Sequence, residues 1–192
     1  MVGMKNLLIA TVLVGLASPA VSEDKAALVE EGKGLMAEFG KTLKDALMLA
    51  VAEGGPVNAI GVCNERAPEI ATSLSAETGW TIARSSHKLR NPENAADAYT
   101  AAAIQDFLSR EASGEMAKDL VRAEIVEENS KQVFRLVKAI PTGGLCLNCH
   151  GGDSVKPDVI EKLAELYPED QARGFTEGQM RGVFTLSKAL GE

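Results

Sequence analysis

The sequence predicts an α+β domain in which helices come first and a small antiparallel sheet follows. Three observations predict it. Residues 24–53 run without proline and place Leu28, Leu35, Phe39, Leu43, Ala46 and Ala50 at spacings of three, four and seven, the recurrence of one helix face. Two β-leaning runs, 120–127 and 132–139, flank Glu128-Asn129-Ser130-Lys131, which is the chemistry of a hairpin turn. The 192 residues are 45% hydrophobic and 24% charged, a globular composition with room for one ordinary domain and no tandem of large ones.

The N-terminus reads as a secretory signal peptide, residues 1–22. Lys5 supplies a short positive region, residues 7–16 an apolar run too short to span a bilayer, and Ala20-Val21-Ser22 the small residues of a cleavage site. The alternative, an N-terminal membrane anchor, needs a longer apolar run. The expectation is an exported protein of residues 23–192, periplasmic in a Gram-negative cell, with no stable membrane insertion after cleavage.

The remaining elements follow from local signals. Gly54-Gly55 ends the first helix, and Pro56 sits where a first helical residue is favoured. Residues 57–66 read as a short helix that Pro68 limits, because the residue before a proline avoids the α region. A further helical piece covers 69–77 and stops at Gly79. Residues 80–86 read as a strand, 90–94 as a loop and 95–110 as an alanine-rich helix. After the hairpin come a helix over 157–167 and a last strand over 181–186. No repeat or linker divides the chain, so 23–192 is read as a single domain.

Charge and composition narrow the function. The net charge is −7, and −8 once Lys5 is removed, so the chain lacks the clustered cations that a nucleic-acid partner needs. Aromatic residues are only 4%, too few for stacking platforms.

Chemistry concentrates in Cys146-Leu147-Asn148-Cys149-His150, a C-x-x-C-H motif followed by Gly151-Gly152. This spacing reads as the attachment site of one covalent c-type haem. Two thiols a short turn apart reach the two vinyl groups of one porphyrin, and the next residue offers its imidazole as the proximal iron ligand. Export agrees, because c-type attachment takes place outside the cytoplasm. The rivals are a thioredoxin-like redox pair, a disulfide, and a zinc site using Cys63 as a fourth ligand. A redox pair sits at a helix start after a strand, whereas glycines on both sides of this motif predict a loop. A disulfide closing two intervening residues constrains little. Zinc wants four ligands.

The second axial position has few candidates. They are His87, the methionines Met36, Met48, Met116 and Met180, and the odd cysteine, Cys63. Each also has a plain reading: His87 as a solvated loop residue beside Lys88 and Arg90, Met36 as helix core, Cys63 as a small buried hydrophobe. Spacing leaves the position open. Arg84, Lys88 and Arg90 cluster after the predicted strand and are candidates to neutralise the haem propionates, against the plain reading of a solvated basic loop.

The chain also resembles a family. The stretch Ala59-Ile60-Gly61-Val62-Cys63 before Ala67-Pro68 carries the resemblance. So do Arg84-Ser85-Ser86-His87-Lys88-Leu89-Arg90-Asn91-Pro92-Glu93-Asn94, the C-x-x-C-H motif and Gly178-Gln179-Met180-Arg181-Gly182-Val183-Phe184. In this order they resemble the DUF3365 family, the Tll0287-like haem domain, over nearly all of the mature chain. His87 and Thr100 depart from the pattern common in that family. The resemblance implies a PAS-like domain with one haem c, and an axial pair of the motif histidine and a cysteine on the early short helix, here His150 and Cys63. Ala59, Ile60, Cys63 and Ala67 share one helix face, which is compatible.

Two function classes follow from this. One is a redox- or ligand-responsive sensor or signalling domain, able to take CO or NO on the reduced haem and passing its output to a protein partner. The other is an electron-transfer cytochrome whose acidic charge suits a basic partner. A haem enzyme comes third, because a bound thiolate blocks the face that catalysis needs.

Overall fold

A computed structural model describes residues 24–191, so the reading of residues 1–22 as a signal peptide lies outside the described residues. Helix α1 (Lys25–Gly61) starts where the Asp24 side chain accepts from the Ala26 amide, leaving an N-cap in place of an unpaired donor. It kinks at Gly54 and at Gly55, whose φ of 73° is open to glycine. Asn58 bridges the kink by donating from Nδ2 to the Ala50 carbonyl at 3.0 Å. The glycine pair thus ends the first helical stretch, and Pro56 lies in the first turn of the next, as its missing N–H permits.

Pro68 does not stop the chain. A π-helical segment, Val62–Arg66, leads straight into α2 (Ala67–Thr78). The Ala67 amide bonds back to the Val62 carbonyl, five residues earlier. One extra residue in the turn makes room for the ring of Pro68, which takes a position where no amide donor is needed. The short helix and the helical piece expected at 57–66 and 69–77 are therefore one rod. The run Lys25–Thr78 is long and apolar enough, by length and composition, to cross a membrane, with an 18-residue window of mean hydropathy 1.5. In the fold it walls the cavity described below. Gly79, at φ 74°, closes α2.

Four strands form one antiparallel sheet in the order β1-β4-β3-β2: β1 Thr81–Ser85, β2 Val121–Glu128, β3 Lys131–Pro141 and β4 Met180–Ala189. The hairpin turns on Asn129 and Ser130, both at positive φ, the two-residue turn whose twist matches that of its strands. Central β3 is buried on both faces. Phe134 and Leu136 pack with Leu28, Leu35, Phe39 and Trp80 under α1 and α2. Val137 and Ala139 pack with Ala103, Ile104 and Phe107 of α3 (Ala98–Ala112) on the other face. That helix begins three residues later than its alanine content suggests, because Asp97 caps it at the Thr100 amide. The motif follows β3 into a helical turn, α4 (Leu147–His150). Helix α5 (Pro157–Leu166) packs Val159 and Leu163 against Ile60 of α1.

The start of β4 is crowded. A Cβ added to Gly182 would meet the Ser85 carbonyl oxygen at 2.5 Å, and that oxygen belongs to backbone that cannot swing away. Gly182→Ala is expected to lower stability by about 1–3 kcal/mol, read as a lower urea midpoint with an unchanged slope.

Candidate functional site

A cavity of about 500 Å³ opens between α1, the ends of β1 and β4, and the motif turn. Leu43, Leu47, Val51, Ile60 and Phe184 give it apolar walls. Cys63, Cys146, Cys149 and His150 all line it. Size and lining are those of a small-molecule or cofactor site. Cys63 reaches it from the π-helical turn, whose extra residue re-aims the helix face at that point. The motif is not the open loop that its glycines suggest. A 3-10 turn, Gly144–Cys146, winds into α4 and places both motif cysteines and His150 on the cavity wall. A Cβ on Gly151 would fall 2.7 Å from the Leu147 carbonyl oxygen, so the chain can leave α4 there because the residue is glycine.

Two contacts define the His150 tautomer. Nδ1 lies 2.8 Å from the Ala172 carbonyl, which can only accept, so Nδ1 carries the proton. Arg90 Nη1, which can only donate, lies 3.5 Å from Nε2. Nε2 therefore keeps its lone pair, the arrangement of a histidine prepared to ligate a metal. Burial, reinforced by Arg90 and Arg181, pushes the imidazole pKa down to about 3, so the ring is neutral at ordinary pH. Burial likewise raises the pKa of the Cys149 thiol and pushes that of Tyr167, on the cavity wall, to about 12.

Arg90 holds the site together. It donates from Nε to Asp170 at 3.1 Å and from Nη2 to the carbonyls of Cys149 at 2.7 Å and Ala172 at 3.2 Å. It thereby ties the motif to the strap of residues 170–175. That strap also joins the motif through Gly174 and Phe175, whose amides bond to the carbonyls of Gly151 and His150. Asp170 was invisible in the sequence as a site residue, since Arg90, the side chain it pairs with, lies eighty positions away. Its second oxygen is buried without a partner, and its side chain is 8% exposed against 11% for Arg90. Asp170→Ala leaves a buried guanidinium uncompensated and should cost about 3–5 kcal/mol, seen as a lower thermal midpoint.

The other candidates are placed as follows. His87 lies off the cavity wall, and its ring and that of His150 both contact Phe175, with centroid distances of 5.7 Å and 6.2 Å. Met36 and Met180 are core, and Met48 and Met116 are exposed; none lines the cavity. Lys88 lines it but donates to the Arg173 carbonyl at 3.2 Å and sits over the Phe175 ring. Arg90 faces His150 with its donors engaged. Arg84 lines the cavity near Cys63, and so does Arg181, which the sequence reading passed over as a site residue. Among the described residues no three His, Cys, Asp or Glu side chains converge on a point that could hold a metal ion by themselves, which disfavours the zinc reading. The three cysteines are free thiols, so the motif pair is not closed as a disulfide.

A search of the curated proteins found no match. Among solved structures, the chain is similar to the crystal structure of the cyanobacterial haem protein Tll0287. The TM-score is 0.60 at 22% identity, and the match covers 84% of this chain and 97% of that one. At that identity the likeness establishes a common fold. The sequence model of the Tll0287-like family matches residues 16–188. That span runs from before α1 through all but the last residue of β4 and includes every residue of the cavity wall, and the chain belongs to the Tll0287-like family.

Proposed function

We propose that this protein is an exported c-type haem protein whose axial pair is His150 and Cys63, acting as a redox- or ligand-responsive domain. One observation carries the reading. The cavity gathers the C-x-x-C-H residues and Cys63, and among the described residues no other histidine and no methionine lines it. The similar solved structure is that of a haem protein, which supports the same choice of cofactor.

The residues fit the group. Apolar walls suit the porphyrin face, His150 carries its proton on Nδ1 and so keeps the Nε2 lone pair, and Arg181 Nε is buried without a partner while porphyrin carries carboxylates. Cys146 and Cys149 would hold the vinyl edge through thioethers. His150 stays neutral and oriented by Ala172, and Cys63 presents sulfur from the helical side. Leu43, Leu47 and Val51 exclude water. When bound, haem supplies an iron that exchanges one electron.

The acidic charge supports a second reading, an electron carrier docking on a basic partner. The absorption spectra of the oxidised, reduced and CO-treated protein, matured with the cytochrome c system, test both. Covalent attachment is read by acid-acetone extraction, and an extractable haem refutes the proposal. CO uptake on reduction supports the responsive domain; a spectrum indifferent to CO supports the carrier.

A further inference from the structure

Two arginines of the cavity wall have no anion to bind among the described residues. Arg84 is the penultimate residue of β1, and no hydrogen bond or ion pair engages its guanidinium among the described residues. Its contact is the face of the Phe39 ring, 5.5 Å from the ring centroid. Arg181 Nε is buried without a partner. The two like charges are close enough to oppose each other.

Arg181 is brought there by a device of the sheet. Ile140 pairs with Gly182 and Pro141 with Met180, so Arg181 is the extra residue of a bulge. Bulges turn a side chain out of the sheet alternation and recur beside binding sites. The backbone of Arg181 is pinned in that position by Ser86, whose hydroxyl donates to its carbonyl at 2.7 Å. The missing Cβ of Gly182 lets β4 approach the Ser85 carbonyl closely enough for this. Two like-charged guanidiniums side by side on one cavity wall, with Arg181 Nε buried and unpartnered, are unfavourable unless an anion completes them. A guanidinium fork matches a carboxylate by two parallel hydrogen bonds.

We propose that Arg84 and Arg181 form a clamp for one propionate carboxylate of the haem, drawn into the cavity between β1 and the β4 bulge. This rests on the haem reading above. It also reassigns the expected contacts. Arg90 is engaged with Asp170 and the motif carbonyls, and Lys88 with Arg173, so neither is the principal partner of that carboxylate.

Resonance Raman spectra of the haem-loaded protein report propionate bending bands, which respond to hydrogen bonds on the carboxylate. Arg84→Gln and Arg181→Gln should each shift such a band and lower the midpoint potential, since a cation beside the haem favours the reduced, less positive form. Arg181→Lys keeps the charge and loses the fork. It should shift the band while holding the potential, and it serves equally where a glutamine variant does not fold. Arg122→Gln, on the far side of the sheet, should change neither. Bands identical to wild type in the arginine variants, with haem still covalent, overturn the clamp and leave the haem reading standing. A wild-type protein whose haem extracts into acid-acetone refutes the covalent c-type reading instead.

Discussion

Replacing Cys146 and Cys149 together by serine is expected to abolish covalent haem, so that all of it passes into acid-acetone where none does from the wild type. The two cysteines line one cavity wall with His150, and both are free thiols. Serine preserves their size and the α4 turn but cannot form a thioether. The loss should also register as stability. A ligand present at a thousand times its dissociation constant stabilises a fold by about 4 kcal/mol, and covalent attachment holds the local concentration high. In a chain of this size that corresponds to a fall in the thermal midpoint on the order of 10 °C. A double variant that retains unextractable haem, or melts as the wild type does, defeats the assignment.

How far the sequence could be read depended on the range of each signal. Local signals read through to the fold: the Asn129-Ser130 turn, the glycine pair before Pro56, and the hairpin strands around them. The C-x-x-C-H motif is also local, and the structure places all of its chemical groups on one wall. Pro68 misled because Ala67 before it takes right-handed helical angles against the steric preference, with the chain widened to a π turn just ahead. Asp170 and Arg181 were not legible as site residues. Asp170 acts through Arg90 across eighty positions, and Arg181 through a register shift between β3 and β4. Neither leaves a trace in spacing. His87 looked competitive because only two histidines exist, and the structure sets it off the cavity wall, against the ring of Phe175 from the distant strap.

Cys63→Ala is expected to keep the covalent haem, remove thiolate features from the ferric spectrum and raise the midpoint potential. Cys63 lines the cavity shared with His150. A thiol bound to a metal is deprotonated, and a thiolate pushes electron density onto iron. An anion of that kind favours the ferric state over the ferrous one, so losing it moves the potential upward. Axial ligands set haem potentials over a span of roughly 0.8 V, and the change here should be on the order of 0.1 V. Packing alone predicts something different. Alanine in place of a half-buried cysteine removes one sulfur from the wall, which costs about 1 kcal/mol of stability and leaves the potential alone. The two accounts therefore separate on the spectrum and the potential, not on stability. His87→Ala sharpens the contrast, because an imidazole set off the cavity wall should leave both unchanged. If Cys63→Ala matches the wild type in spectrum and potential, the sulfur is packing. If His87→Ala is the variant that moves them, the axial pair has been misassigned.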